Sequence, residues 1–84
     1  MKGLLIKDRL RWRDCWSASI GSQLQVRDSS FDLLIFEKHH SLGDILKVIG
    51  EAPEDAYQIL ELEEVPQDSC EYIADSGTCY RRKA

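Results

Sequence analysis

The chain has 84 residues, with 11 Lys and Arg against 15 Asp and Glu for a formal net charge of −4, and it is 43% hydrophobic and 31% charged. A soluble domain this short buries only about 60–65% of the surface its unfolded chain exposes, which leaves one core, a single compact domain over 1–84 and little room for a deep enclosed active site. No apolar run approaches the ~20 residues needed to span a bilayer, and residues 4–6 are too few for a secretory hydrophobic region, so the expectation is a cytoplasmic protein without membrane contact.

From Leu4 to Trp16 the apolar residues Leu4, Ile6, Leu10, Trp12 and Trp16 fall on even positions, and Lys7, Arg9, Arg11 and Arg13 on odd ones. Alternation with period two predicts a strand, with a bulge or break at Asp8-Arg9. The even positions continue through Ala18, Ile20, Leu24 and Val26, so a turn near 20–23, at Gly21-Ser22, and a second strand ending at Arg27 are expected. Asp28-Ser29-Ser30 supplies turn chemistry before 31–36, whose apolar residues lie on both faces and predict the central, most buried strand.

Ser41 with Asp44 three residues on forms a capping-box-like pair, and Gly50 stands where a helix over 41–49 would end. Leu42, Ile45, Leu46 and Ile49 give that helix an apolar stripe for the core over about three turns. After Pro53 the segment 54–65 fits neither period cleanly. A strand over 57–64, stopped by Pro66, makes the more compact unit. The tail reads as a hairpin, 71–74 and 78–82, around Asp75-Ser76-Gly77. The fold class expected is small α+β, a mainly antiparallel sheet of about five to six strands covered on one side by the helix 41–49.

Residues 1–50 carry eight bases and six acids, whereas 51–84 carry three bases and nine acids. All nine of those acids lie within 51–75, which holds no Lys or Arg. Carboxylates this dense repel one another unless they are spread over a wet surface or met by cations, and such a surface steers a basic partner. The leading functional expectation is therefore a non-enzymatic interaction protein, an inhibitor, antagonist or adaptor, that binds a basic protein surface. Its candidate contacts are Glu54, Asp55, Glu61, Glu63, Glu64, Asp68 and Glu71, with Trp12 and Trp16 as apolar anchors, one of them partly exposed.

Two alternatives remain open. On a strand, Lys7, Arg9, Arg11 and Arg13 would project at intervals of about 6.6 Å, near the phosphate spacing of a nucleic acid strand, and Arg81, Arg82 and Lys83 would add to them. Against this stand a pI of about 5.0 and the lack of any RNP-like, GXXG or zinc-finger pattern. The same bases could instead pair with Glu61, Glu63 and Glu71 across the sheet. The other alternative is a structural homo-oligomer or homodimer built on the tryptophan-bearing face.

Cys15, Cys70 and Cys79 are odd in number and lack C-x-x-C spacing, which points to free thiols. A hairpin loop of three residues, 75–77, gives paired positions summing to 152 and one of four residues, 74–77, gives 151, whereas 70 and 79 sum to 149, so neither register sets these cysteines opposite each other. His39-His40 has no metal-ligand spacing, and nothing in the sequence joins Cys15 to a histidine as a nucleophile pair. Glu61 and Glu63 are strand neighbours without a cleft, a poor basis for glycosidase chemistry. No metal, cofactor or catalytic residue is expected.

Overall fold

The computed structural model describes residues 1–83. Its elements in chain order are β1 (Lys2–Ile6), α1 (Asp14–Gln23), β2 (Val26–Ser29), β3 (Leu33–Phe36), α2 (Leu42–Val48), a 3-10 turn (Glu54–Ala56), β4 (Tyr57–Val65), a second 3-10 turn (Gln67–Ser69), β5 (Tyr72–Ile73) and β6 (Cys79–Arg82). The six strands form one antiparallel sheet in the order β2-β3-β1-β4-β6-β5. The class is small α+β, as the sequence leads one to expect. Among the described residues no helix is long and apolar enough to cross a membrane.

The long strand expected from Leu4 is replaced by β1, a loop over 7–13 and α1. The cause is an aliasing of periods. Trp12, Trp16, Ile20 and Leu24 recur every four residues, which satisfies a helical stripe, and every multiple of four is also even. Trp12 and Ile20 are buried, and Trp16 and Leu24 pack against them. Gly21-Ser22, read as a turn, lies inside the helix.

β3 is not central, since it lies between β2 and β1, and β1 with β4 forms the middle of the sheet. Its burial on both faces is nevertheless real, with Leu33 and Ile35 in one cluster and Phe36 in the other. Phe31 is not in the strand but in the turn before it, 82% exposed.

Ser41 and Asp44 form the reciprocal capping box, Ser41 Oγ accepting from Asp44 N–H at 3.2 Å and Asp44 Oδ2 from Ser41 N–H at 3.0 Å. The helix has seven residues, shorter than expected, and only Ile45 and Ile49 of its stripe are buried, Leu42 and Leu46 being 44% and 38% exposed. Gly50 follows the helix without a left-handed conformation, because the capping turn closes by the Ile49 N–H to Ile45 carbonyl bond.

The sheet buries both faces. One lies under the helices, where Leu4, Ile6 and Phe36 meet Trp12, Ile20, Ile45, Ile49 and Ala52. The other contains Leu33, Ile35, Leu60, Leu62, Ala74 and Tyr80, drawn from β3, β4, β6 and the β5–β6 turn without any helix. Strands that far apart in the order touch only if the sheet curls on itself.

The curl is nearly a closure. A flat six-stranded sheet would hold β2 and β5 about 24 Å apart. Instead Asp75 N–H donates to the Ser29 carbonyl at 2.7 Å. A bulge in β2 between Val26 and Asp28 aims Arg27 and Asp28 across the gap. Arg27 reaches Glu64 on β4 at 3.0 Å, and Asp28 Oδ2 accepts from the buried Tyr80 hydroxyl at 3.1 Å and from Ser76 Oγ. Burial pushes the Asp28 carboxyl up, but the hydrogen bonds from Ser76, Ser29 N–H and Tyr80 outweigh it and hold the group below the usual carboxylate range. Burial likewise raises the Tyr80 phenol, opposed by Arg27 and reinforced by Asp28.

The hairpin has the three-residue loop and the register sum of 152, with Tyr72 opposite Tyr80 and Ile73 opposite Cys79. Gly77 has φ +90°, the left-handed conformation this loop needs. Gly3, at the middle of the curled face, matters for space. A Cβ there would lie 2.6 Å from Leu62 Cδ1 and 3.4 Å from Leu33 Cδ1, so the side chains of both neighbouring strands fill the room that glycine leaves.

Replacing Gly3 with Val should overpack this face and lower unfolding free energy by about 1–3 kcal/mol in urea denaturation. Asp28, with its folded pKa depressed, contributes stability that is complete above its unfolded value near 4 and lost as pH falls through the lower folded value. Urea midpoints from pH 7 down to pH 2 should therefore fall less steeply in Asp28→Asn than in the wild type. Equal slopes would remove the carboxylate from the closure.

Candidate protein-interaction surface

The loop 7–13 is built by Asp8. Its side chain accepts Leu10 N–H at 3.1 Å, and its carbonyl accepts from Arg11 and Trp12 N–H at 3.3 and 3.0 Å. This turn drives Trp12 inward, where its indole N–H donates to Ser17 Oγ at 2.8 Å, and leaves Leu10 98% exposed. Lys7 and Asp8 N–H both donate to the Ala56 carbonyl, which fastens the loop to the first 3-10 turn.

Arg9 fastens it on the other side. Its Nε lies 2.7 Å from Asp32 Oδ1, its Nη2 donates to the Phe31 carbonyl, and its guanidinium lies 4.7 Å from the centre of the Phe31 ring. Leu10 and Phe31 thus stand in solvent on adjoining loops held in place by ion pairs. Beside them Leu10, Arg11, Arg13, Trp16, Glu51 and Pro53 line an open groove of about 460 Å³. Trp16 is half-buried, stacked at an edge on Trp12 at 5.2 Å and covered by Arg13 at 5.8 Å.

The carboxylates of 51–75 divide into two sets. Asp55 pairs with Arg11 at 2.7 Å, Glu61 with Lys2 at 2.5 Å, Glu63 with Arg81 at 2.7 Å and Glu64 with Arg27. The Arg11 guanidinium, outweighing desolvation, holds the Asp55 carboxyl below its ordinary range, and Lys2 does the same for Glu61. Lys2–Glu61 and Glu63–Arg81 are also directly opposed residues in the sheet register. Glu71 Oε1 accepts from Arg82 N–H at 2.9 Å. Glu51, Glu54, Asp68 and Asp75 are in no ion pair among the described residues. They are distributed along the connection before β4, the second 3-10 turn and the hairpin tip, so the nine acids do not form one continuous field.

The bases are equally dispersed. Lys7, Arg9, Arg11 and Arg13 lie on a loop, not along a strand face, and Arg9 and Arg11 are engaged by Asp32 and Asp55. Arg81 is held by Glu63, and Arg82 Nε donates to the Tyr72 hydroxyl at 3.2 Å. A second open groove is lined by Arg27, Lys38, Glu63, Glu64 and Lys83, with both signs intermixed.

His40 is a structural link. Its Nε2 accepts Gln25 N–H at 2.8 Å while Nδ1 faces Asp44 Oδ2 at 3.6 Å, which joins the start of β2 to the cap of α2. Among the described residues no group of three or more His, Cys, Asp or Glu is arranged to hold a metal ion. The sequence pattern does not reveal that Leu10 and Phe31 are exposed, because even spacing assigns the first to a core face and an apolar run assigns the second to a strand. The Asp8-x-x turn signal could have found Leu10. No family model, curated protein or solved structure matches this chain.

Because Glu63 is already neutralised by Arg81, Glu63→Lys should set like charges opposite each other and lower the thermal midpoint by a few degrees, an effect that salt reduces. Asp68→Lys, with no base to oppose, should leave the midpoint unchanged. Calorimetric scans of both variants distinguish the paired from the unpaired acids.

Proposed function

We propose that this chain is a non-enzymatic protein-interaction domain, of inhibitor, antagonist or adaptor type, whose partner presents basic and apolar side chains together. The observation that carries the proposal is the display of Leu10 and Phe31 on two loops bridged by Arg9, with Leu10 lining the Trp16 groove. Two large apolar side chains held in water gain most when a partner covers them, and fixed loops reduce the ordering cost of doing so.

Charge complementarity is then local. Glu51 lines the groove and Glu54 lies close by in the chain, beside Asp55, and neither Glu51 nor Glu54 is in an ion pair among the described residues. Basic groups rimming the partner's apolar anchor would find these carboxylates, which favours rapid encounter. The paired acids Glu61, Glu63 and Glu64 contribute to the sheet instead, and Trp12 serves the core.

Affinity capture with quantitative mass spectrometry tests this reading. Leu10→Asp with Phe31→Asp should reduce recovery of the bound protein at least tenfold, and Glu51→Lys with Glu54→Lys should weaken it and abolish its salt dependence. Recovery unchanged in both variants, with wild-type thermal midpoints, would defeat the proposal.

A further inference from the structure

His40 stands where three parts of the fold meet. It precedes Ser41, the cap residue of α2, and its side chain is 11% exposed. Its ring meets Phe36 of β3 edge-on at 6.4 Å, and its Nε2 accepts the N–H of Gln25, the residue before β2, at 2.8 Å. An imidazole nitrogen accepts a hydrogen bond only through an unprotonated lone pair, so this contact requires the neutral ring with its single proton on Nδ1. Nδ1 in turn faces Asp44 Oδ2 at 3.6 Å.

We propose that His40 is an acid-sensitive latch. As a neutral ring it ties the start of β2 to the cap of α2, and on protonation it keeps its place beside Asp44 and releases Gln25. A proton taken from solvent by Nε2 turns the acceptor into a donor. Two N–H groups would then point at each other across 2.8 Å with no acceptor between them, and they must part. The Nδ1 side strengthens at the same time, since an imidazolium facing a carboxylate is an ion pair. Asp44 is ionised when this happens. The Ser41 N–H bond, outweighing desolvation, holds its carboxyl below the usual carboxylate range, and His40 adds to that.

The charges around the ring come from two elements. Asp44 and Lys47 belong to α2, and His39, with its ring centre 4.1 Å from that of His40, belongs to the connection from β3. Asp44 attracts positive charge at His40, while Lys47 and a charged His39 oppose it. The end of α1 supplies only the uncharged Gln23 and Leu24 to the groove that these residues share. Release is local, because the Gln25 carbonyl keeps its bond from Glu37 N–H at 3.0 Å and β2 stays paired with β3. What is lost is the tie between the helix cap and the residue that leads into the Val26–Asp28 bulge, from which Arg27 and Asp28 reach across the curl.

The test is an NMR titration of the 15N-labelled full chain from pH 8 to pH 5. Two-bond proton–nitrogen spectra report the His40 ring, and amide hydrogen exchange, corrected for intrinsic rate, reports Gln25. At pH 8 the ring should carry its proton on Nδ1. As it gains the second proton, Gln25 protection should fall about tenfold while that of Leu60 on β4 stays constant. His40→Phe, which keeps a ring against Phe36 but can neither accept nor titrate, should leave Gln25 poorly protected at every pH. His39→Asn should keep the wild-type response, which separates the two neighbouring histidines. The proposal is overturned if Nε2 carries the proton at pH 8, if the ring becomes doubly protonated with Gln25 protection unchanged, if the ring stays neutral until the chain unfolds, or if His39→Asn abolishes the response. The wild-type titration decides the first three whether or not His40→Phe folds.

Discussion

The carboxylate of Asp28 joins two edges of a sheet that would otherwise lie far apart. It accepts from the Tyr80 hydroxyl, Ser76 Oγ and Ser29 N–H, while Arg27 beside it holds Glu64. Those contacts make a curl out of six strands, and the curl creates the second core of Leu33, Ile35, Leu60, Leu62, Ala74 and Tyr80. An 84-residue chain with a single helix-covered face would have limited apolar burial; using both faces of the sheet is how it gains a larger core. Gly3 belongs to the same solution, since the absent side chain lets Leu62 and Leu33 approach over β1.

The distribution of charge follows from strand pairing. β4 brings Glu61, Glu63 and Glu64 into a sheet whose neighbouring strands carry Lys2 and Arg81, and the curl supplies Arg27 from β2. A segment that is uniformly acidic along the chain is therefore alternately acidic and basic across it. Exposed pairs of this kind add little stability each, but an acid set opposite an acid would be unfavourable, so they help define the register. The carboxylates that escape pairing lie at connections, where no neighbouring strand supplies a base.

The two ends of the molecule are held by different means. At one, the loop 7–13 is a polar framework of Asp8, Arg9 and Arg11 bonds from which Leu10 projects into solvent. At the other, the hairpin is short, with only Tyr72 and Ile73 in β5, and depends on its tip contacts and on the packing of the turn that carries Cys70.

Local chemistry was legible wherever a few neighbouring residues sufficed. Ser41 and Asp44 capped α2, Asp75-Ser76-Gly77 marked the hairpin turn, and Pro66 bounded β4. The α+β class and the burial of 33–36 on both faces were readable for the same reason. The segment 12–24 was not, because a spacing of four fits both a helix and an alternation, and only the packing of Trp12, Trp16 and Ile20 over β1 and α2 selects the helix. Nor could composition reveal that Asp28 and Tyr80, 52 positions apart, share a hydrogen bond. Which acids are neutralised and which apolar residues face water are properties of the closed sheet, since curling, a long-range event, decides what each side chain finds across from it.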